Sequence, residues 1–514
     1  MSHGINNLAD SLRASAERFP RREAIIDGTR RMTYESLHEL SLRFGGVLRE
    51  FDVQRGDNVA FLLPNVPEFT VCYFGCHAAG AVVVPLNVLL KSDEIAYHLD
   101  DSDAIAVVVF ESLLEQAGPA VERVPGCRHL IVVSSGAGPC QRADGPSTID
   151  YGVAMEAEPI VDESPSSADD TAVILYTSGT TGQPKGAEMT HDNLLRNAHY
   201  VATRITPIDE TSRCLVCLPL FHSFGQTVQQ NAHVASGGVM VFLPRFDAAV
   251  ALALMQEHQV SYFAGVPTMY FAILESPASE GFDPAALRYC LSGGAPMPVE
   301  VMLKFNERFS ATILEGYGLS ETSPVASFNT LDRSQKPGSV GRPIEGVEFR
   351  LVDGDGETVN EPDVPGEIWI KGHNVMKRYY GKPEETAEAL QDGWFRSGDV
   401  ATVDHDGDYF IVDRIKDVIL RGGYNVYPRE VEEVLYTHPA VTEAAVIGVP
   451  DERLGEEVVA FVACREQVVV EPEDLVAHCK RRLAAFKYPR HVRILDSLPK
   501  GPTGKILRRA LRDG

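Results

Sequence analysis

Residues 176–186 read Tyr-Thr-Ser-Gly-Thr-Thr-Gly-Gln-Pro-Lys-Gly, and no other stretch limits the fold and chemistry of this chain as strongly. The preceding Ala172-Val173-Ile174-Leu175 is a short apolar run of the kind that forms a buried strand. A glycine-containing loop leaving such a strand can aim backbone N–H groups at a phosphate. Thr177, Ser178, Thr180 and Thr181 add hydroxyl donors, Gly179 and Gly182 allow the tight path, and Lys185 adds a charge. A Walker A loop has a different spacing, with its Lys directly after the second glycine and a Ser or Thr next. Here Lys185 lies three residues after Gly182 and is followed by Gly186. A plain Ser/Thr/Gly surface loop has the same composition, so the reading needs support from elsewhere in the chain.

A chain of 514 residues is too long for one core, and at ~150 residues per domain it suggests about three units. Apolar runs at 58–63, 81–85, 105–110, 130–133, 171–176, 213–218, 238–243 and 260–264 alternate with helical stretches. That is the βαβ rhythm of a parallel or mixed sheet with helices on its faces. Residues 136–168, rich in Gly, Pro, Ser and Asp, read as a long surface connection. From Val347 to Phe410 short alternating strands with Asp-Gly turns predict a β-rich subdomain. The expected class is therefore α/β: a large N-terminal part, 1–413, with mixed αβ sheets and a β-rich subdomain about 345–413, then a small α+β C-terminal domain, 414–514.

No run approaches the ~20 apolar residues of a membrane span, and the N-terminal stretch reads as an amphipathic helix rather than an apolar signal. Nine irregularly spaced cysteines suit reduced thiols in the cytoplasm, and the lone Cys214-Leu215-Val216-Cys217 suits core packing better than zinc. A net charge of -25 argues against nucleic-acid binding. From Glu471 onward, however, eleven Lys/Arg face five Asp/Glu, a cluster that suits either a phosphorylated partner or a solvated helix face.

Three further segments have the composition of a nucleotide site. Gly293, Gly294 and Ala295 follow an apolar run and would let a flat base lie against the backbone. In Glu315-Gly316-Tyr317-Gly318-Leu319-Ser320-Glu321-Thr322, Tyr317 could stack on adenine and Glu321 could hold Mg²⁺, which prefers oxygen ligands. Asp399, in Trp394-Phe395-Arg396-Ser397-Gly398-Asp399, is suited to paired ribose hydroxyls.

Together and in this order, these segments resemble the adenylate-forming superfamily of acyl-CoA synthetases, luciferases and peptide-synthetase adenylation domains. The similarity runs through YTSGTTGQPKG, PLFHSFG at 219–225, LSGGAPMP, GYGLSET, GWFRSGD, DRIKDVILRGGYNVYP at 413–428 and PKGPTGKILRR at 499–509. RGGYNVYP is most similar to the fatty-acyl and aryl CoA ligase branch. The resemblance implies two steps: a carboxylate attacks the α-phosphate of ATP, giving an acyl-adenylate and pyrophosphate, and a thiol then displaces AMP. It implies that the 177–185 loop holds phosphates, that Thr177 and Glu321 serve Mg²⁺, and that Asp399 and Arg414 grip the ribose. Gly293, Gly294, Ala295, Glu315, Gly316, Tyr317, Gly318 and Ser320 would line the AMP site.

Lys505 would swing in to bridge the acyl carboxylate and the α-phosphate, with a hinge at Lys416. A lysine in such a turn is unremarkable by itself. After rotation of the C-terminal domain, Gly422, Gly423 and Tyr424 would border a tunnel for the pantetheine arm of coenzyme A or of an acyl carrier protein. His222 is a contributor to catalysis, or a lining or gating group. Rotation of this kind is also compatible with a monomer or a homodimer. An oxygen-dependent, luciferase-like activity shares the first step, but nothing in the sequence demands it.

Amino-acid-activating relatives place a carboxylate in the segment matching 219–230, and here there is none. An unpaired buried ammonium would be costly, so the acid is expected to lack an α-amine. Acetate-specific relatives block the pocket with Trp where this chain has Gly318, which predicts an open channel. Phe221, His222, Phe224, Gly225, Val266, Pro267, Val325 and Phe328 would line it. The expected substrate is a medium- or long-chain fatty acid, with an aryl acid as the alternative.

Overall fold

The computed structural model describes residues 5–134, 147–161, 166–177, 183–465, 468, 470–501 and 503–512. Each of the eight apolar runs becomes a strand, and in a buried parallel sheet continuous Val/Ile/Leu runs are what both faces require. Five of them, Asn58–Leu62, Val82–Pro85, Ala104–Phe110, His129–Val133 and Thr171–Thr177, enter an eight-stranded sheet. Arg213–Val216, Val239–Phe242 and Tyr262–Gly265 enter a nine-stranded sheet with Tyr289–Ser292 and Ile313–Tyr317. The helices Pro67–Ala79 and Tyr34–Glu50 pack together between them, and the first is buried along nearly its whole length. One continuous apolar core runs through both sheets. Cys214 and Cys217 lie in this core, their thiols against the carbonyls of Gln229 and Ala264.

The connection expected over 136–168 contains regular structure. Ser147–Asp150 pairs in parallel with His129–Val133 and leads into the turn Tyr151–Ala154. This is an edge strand with one large apolar side chain, Ile149, so it has no hydrophobic period to betray it. A third sheet joins Val347–Val352, Gly366–Gly372, Leu390–Gln391, Trp394–Val403 and Tyr409–Arg414 through antiparallel pairs. Within this region the two-residue strand Arg378–Tyr379 departs to pair with Lys185–Thr190 of the eight-stranded sheet.

The C-terminal sheet is built on the long hairpin Val441–Asp451 and Gly455–Cys464, with Ile419–Arg421, Tyr424–Val426 and His491–Leu495 beside it. Four of the eleven basic residues of the tail are paired with carboxylates earlier in the chain. Lys487 pairs with Glu430 at 2.7 Å, Lys500 with Glu443, and Arg512 with Asp417 at 3.2 Å. Arg508 makes two 2.8 Å bonds to Glu432 and a third at 3.1 Å to Asp413. It thereby ties the last helix, Arg508–Arg512, to the strand that precedes the turn at 415–417. Arg508→Ala would leave the buried Asp413 and the partly buried Glu432 without their shared cation, and we expect a loss of stability below the ~3–5 kcal/mol of a fully buried broken pair, read as a lower denaturation midpoint of the C-terminal sheet.

Candidate active site

Strand register brings the two ends of the 177–185 loop together. Thr177 ends Thr171–Thr177 and stands opposite Lys185, the first residue of the antiparallel Lys185–Thr190. Ser178, Gly179, Thr180, Thr181 and Gly182 lie outside the described residues. Lys185 is 8% exposed, with its ammonium 5.4 Å from the centroid of the Tyr379 ring. The Tyr379 hydroxyl donates to Glu321 Oε1 at 3.1 Å, and Thr177 Oγ1 donates to the same oxygen at 3.0 Å. A carboxylate beside a hydroxyl is a hard oxygen donor set, so these two residues fit Mg²⁺. The carboxylates of Asp404, Asp406 and Asp408 form another cluster among the described residues, but it is closed around the Lys336 ammonium at 2.5, 2.6 and 3.1 Å.

Sequence reasoning missed Tyr379. Its partner strand lies some 190 residues away, and a two-residue strand carries no periodic signal.

Asp399 and Arg414 are opposite one another in the ladder between Trp394–Val403 and Tyr409–Arg414, with Nε and Oδ1 3.0 Å apart. The other carboxylate oxygen accepts from the Tyr317 hydroxyl at 2.7 Å. Asp399 is 4% exposed, so these partners hold a buried charge. Glu315 is a buried residue of the same strand as Tyr317. Its Oε1 accepts from the Met297 N–H at 2.9 Å, fastening the 293–297 loop to Ile313–Tyr317. Burial pushes its pKa up to about 7, against the opposing charge of Arg429. Ser320 opens the single turn Ser320–Thr322 that carries Glu321.

The Thr503-Gly504-Lys505 turn docks on the N-terminal part. Thr268 Oγ1 donates to the Gly504 carbonyl at 3.0 Å, and Gly504 has φ +78°. A Cβ there would meet Thr268 Oγ1 at 2.9 Å and a Val266 methyl at 3.0 Å, so only glycine allows the approach. Lys505 follows immediately. Surrounding protein and then the charge of Arg414 lower its pKa to about 8, with Asp399 opposing. Lys505 is itself an exposed residue, so its desolvation is partial, and the nearby Arg414 charge supports the downward direction of the shift rather than its size. His222 is lowered to about 4 by burial and by the Lys505 charge, and its Nδ1 accepts from the Phe224 N–H at 3.2 Å. A ring of that basicity with one nitrogen already engaged is neutral at pH 7 and is a poor acceptor for a thiol proton.

Lys416 is exposed in the turn Ile415–Asp417. Gly422 and Gly423, both at positive φ, and Tyr424 form an exposed loop. Tyr424 stacks on Phe486 at 4.7 Å, and the bidentate Arg421–Glu457 pair, at 2.6 and 2.8 Å, anchors the loop.

A family model described as AMP-binding enzyme matches residues 12–380, and one described as AMP-binding enzyme C-terminal domain matches 430–505. The chain belongs to the AMP-binding enzyme family. It is 38% identical to a feruloyl-CoA synthase of Amycolatopsis sp., covering 96% of each chain. It is 35% identical to a long-chain-fatty-acid–CoA ligase of Bacillus subtilis (strain 168), covering 98% of this chain and 94% of the relative. A solved benzoate CoA ligase from Burkholderia xenovorans LB400 superposes with a TM-score of 0.90 at 31% identity, over 99% of this chain and 100% of that one. The chain is an AMP-forming acid–CoA ligase that uses ATP.

The residues expected to line the enzyme's acyl pocket are packed as follows. A Cβ on Gly318 would stand 1.6 Å from the Pro324 carbonyl oxygen, so this glycine is required where two backbone stretches cross. Phe224 lies over Gly293, and the Phe328 ring fills the space beside Gly316. Val266 packs between Gly294 and Gly504. Gly225 faces the Pro219 carbonyl, while Val325 is fixed through its backbone to Asn197, and Phe221 is half-buried. Gly318→Ala is expected to lose pyrophosphate release with short and long acids alike. A selective loss with long acids alone would instead identify residue 318 as a channel wall.

Proposed function

We propose that the buried cluster around Asp399 is the adenylation centre, and that the conformation described here is the one that forms the acyl-adenylate. The observation that carries this reading is Lys505, presented by a turn docked on Thr268 and placed beside the Asp399–Arg414 pair. In the first step a carboxylate oxygen bonds to the α-phosphorus of ATP as the bond to the β-phosphate oxygen breaks. An organic acid of pKa ~4–5 is already ionised at pH 7, so the step needs placement and charge neutralisation rather than a base. Lys505 neutralises charge between the acid and the α-phosphate. Asp399 accepts from the ribose hydroxyls, oriented by Tyr317 and Arg414.

The 177–185 loop holds the outer phosphates. Thr177 and Glu321 hold Mg²⁺, which when bound offsets phosphate charge, and Tyr379 orients Glu321. Gly293, Gly294, Ala295, Gly316 and Tyr317 border the adenine. In the second step the C-terminal domain, 414–514, turns about Lys416, bringing Gly422–Tyr424 to the site for the coenzyme A thiol. The names of the relatives support coenzyme A over a carrier protein as acceptor. Eight free cysteines among the described residues support the reducing cytoplasm. No helix among the described residues is long and apolar enough to cross a membrane.

The acid lacks an α-amine and has an apolar body. One relative is named for long-chain fatty acids and another for an aromatic acid, so both of these classes are proposed. A panel of fatty and aryl acids, scored for pyrophosphate and AMP, tests the activity. ADP, or intact ATP with every acid, would overturn it. Lys505→Ala should lose adenylation by at least ~10²-fold, the scale of one preorganised charge-stabilising donor, and largely spare thioester formation from supplied acyl-adenylate. Because its pKa is lowered to about 8, the ammonium is lost at a pH well below that of an ordinary lysine. The kcat/KM for adenylation by the wild type, which reports the free enzyme, should therefore decline as pH rises through about 8, and Lys505→Arg should remove that decline.

A further inference from the structure

The segment after His222 is a π-helix, Gly225–Asn231, a wide-turn geometry that recurs at functional sites. Its polar side chains are all buried, but they divide by face. Gln229 is fully engaged: Oε1 accepts from the Leu218 N–H at 3.2 Å, and Nε2 donates to the carbonyls of Leu215 and Ala264 at 2.9 and 3.1 Å. Thr227 donates to the Ser323 carbonyl at 2.9 Å. These are structural glues between the helix, the nine-stranded sheet and the 320–324 turn.

The face that continues from His222 is different. The Gln226 N–H donates to the His222 carbonyl at 3.1 Å, so residue 226 stands one turn further in. Gln226 is 0% exposed, and neither its amide oxygen nor its amide nitrogen has a partner. One turn beyond, Gln230 Oε1 accepts from Thr70 Oγ1 at 2.7 Å while Nε2 has no partner. Ser223 Oγ and Ser292 Oγ are likewise buried without partners, flanking the contact between Phe224 and Gly293. A buried amide with both ends unpaired is costly unless something polar meets it. A methionine or leucine of similar size would fill such a position without that cost.

We propose that Gln226, with Ser223 and Gln230, forms a hydrogen-bonding subsite for a hydroxyl carried on the body of the acid, inward of the carboxylate held near His222 and Lys505. The proposal rests on the acid–CoA ligase reading of the cleft. It narrows the substrate class from acids with a plain apolar body to hydroxylated acids, whether the hydroxyl sits on an aromatic ring or on an aliphatic chain. The amide suits this group because it can donate to the hydroxyl oxygen and accept its proton at once.

Matched pairs of acids test it on the full-length enzyme: 3-phenylpropenoic acid against its 4-hydroxy analogue, and octanoic acid against 8-hydroxyoctanoic acid. The readout is kcat/KM for pyrophosphate release. In at least one pair the hydroxylated member should be preferred by ~10²-fold or more, short of the roughly 10⁴–10⁵-fold discrimination of a site fully committed to a hydroxyl. The pair that shows the preference distinguishes ring from chain. Gln226→Leu should selectively lower kcat/KM for the hydroxylated acid and bring the ratio within about threefold, and Ser223→Ala should reduce it partway. Pyrophosphate release from both members of each pair with wild-type ratios near one would overturn the subsite alone. So would an unchanged high ratio in a folded Gln226→Leu enzyme, since the amide then serves the fold or a buried water. If that variant does not fold, the wild-type ratio decides. No release from any acid would overturn the ligase reading and the subsite with it.

Discussion

The carboxylate of Asp399 joins three separately folded stretches of the chain. One oxygen accepts from Tyr317 at the end of a strand of the nine-stranded sheet, and the other meets Arg414 at the end of the β-rich sheet. Arg414 in turn leads directly into the turn at 415–417 and the C-terminal sheet. A buried carboxylate is tolerated only when its charge is matched and its lone pairs are used. Asp399 meets both conditions, so the residues that stabilise it also fix the relative placement of the sheets. Removing one partner would leave a mostly buried charge with half of its partners.

The sheets were legible because buried parallel strands are continuous apolar runs, and these stand out against helical stretches and turns. The chemistry-bearing segments stood out by composition, but their roles came only from the resemblance that they carry together and in order. What composition could not show was which side of a residue holds space. Gly318 reads as an opening, yet its missing side chain makes way for the Pro324 carbonyl. Tyr379 was invisible for a related reason, since its meaning depends on pairing with Ala187 across the molecule. A local tally of the basic tail failed differently. The carboxylates that pair with it, Asp413, Asp417, Glu430, Glu432 and Glu443, all precede residue 471, so the positive excess is real in sequence and partly spent in the fold.

The segment Gln226-Thr227-Val228-Gln229-Gln230 shows the same limit in its sharpest form. Three glutamines and a threonine fall within these five residues, and although polar by composition every one of them is buried. Side chains on one face satisfy carbonyls of the neighbouring sheet and turn, which accounts for Gln229 and Thr227 structurally. Only the three-dimensional pairing separates those from Gln226, and so separates polar residues that hold the fold from one with bonding capacity to spare.

Electrostatics around Lys505 bear on how the C-terminal part can be both held and released. Desolvation and the neighbouring Arg414 both disfavour its ammonium, and Asp399 only partly offsets them. The docked turn is therefore secured by shape, through Gly504 against Val266 and Thr268, while the charge it delivers is under-compensated. An anion between Lys505 and Arg414 reverses the sign of that balance and tightens the docked state. On the proposed reaction, ATP with a carboxylate supplies the most negative charge, and the adenylate left after pyrophosphate departs supplies much less. The electrostatic hold on Lys505 is then strongest before the first chemical step and weakest after it. At that point Arg421 keeps Gly422–Tyr424 formed and ready on the exposed side of the same domain. On the proposed reaction, shape complementarity places the lysine and substrate charge sets how long it stays.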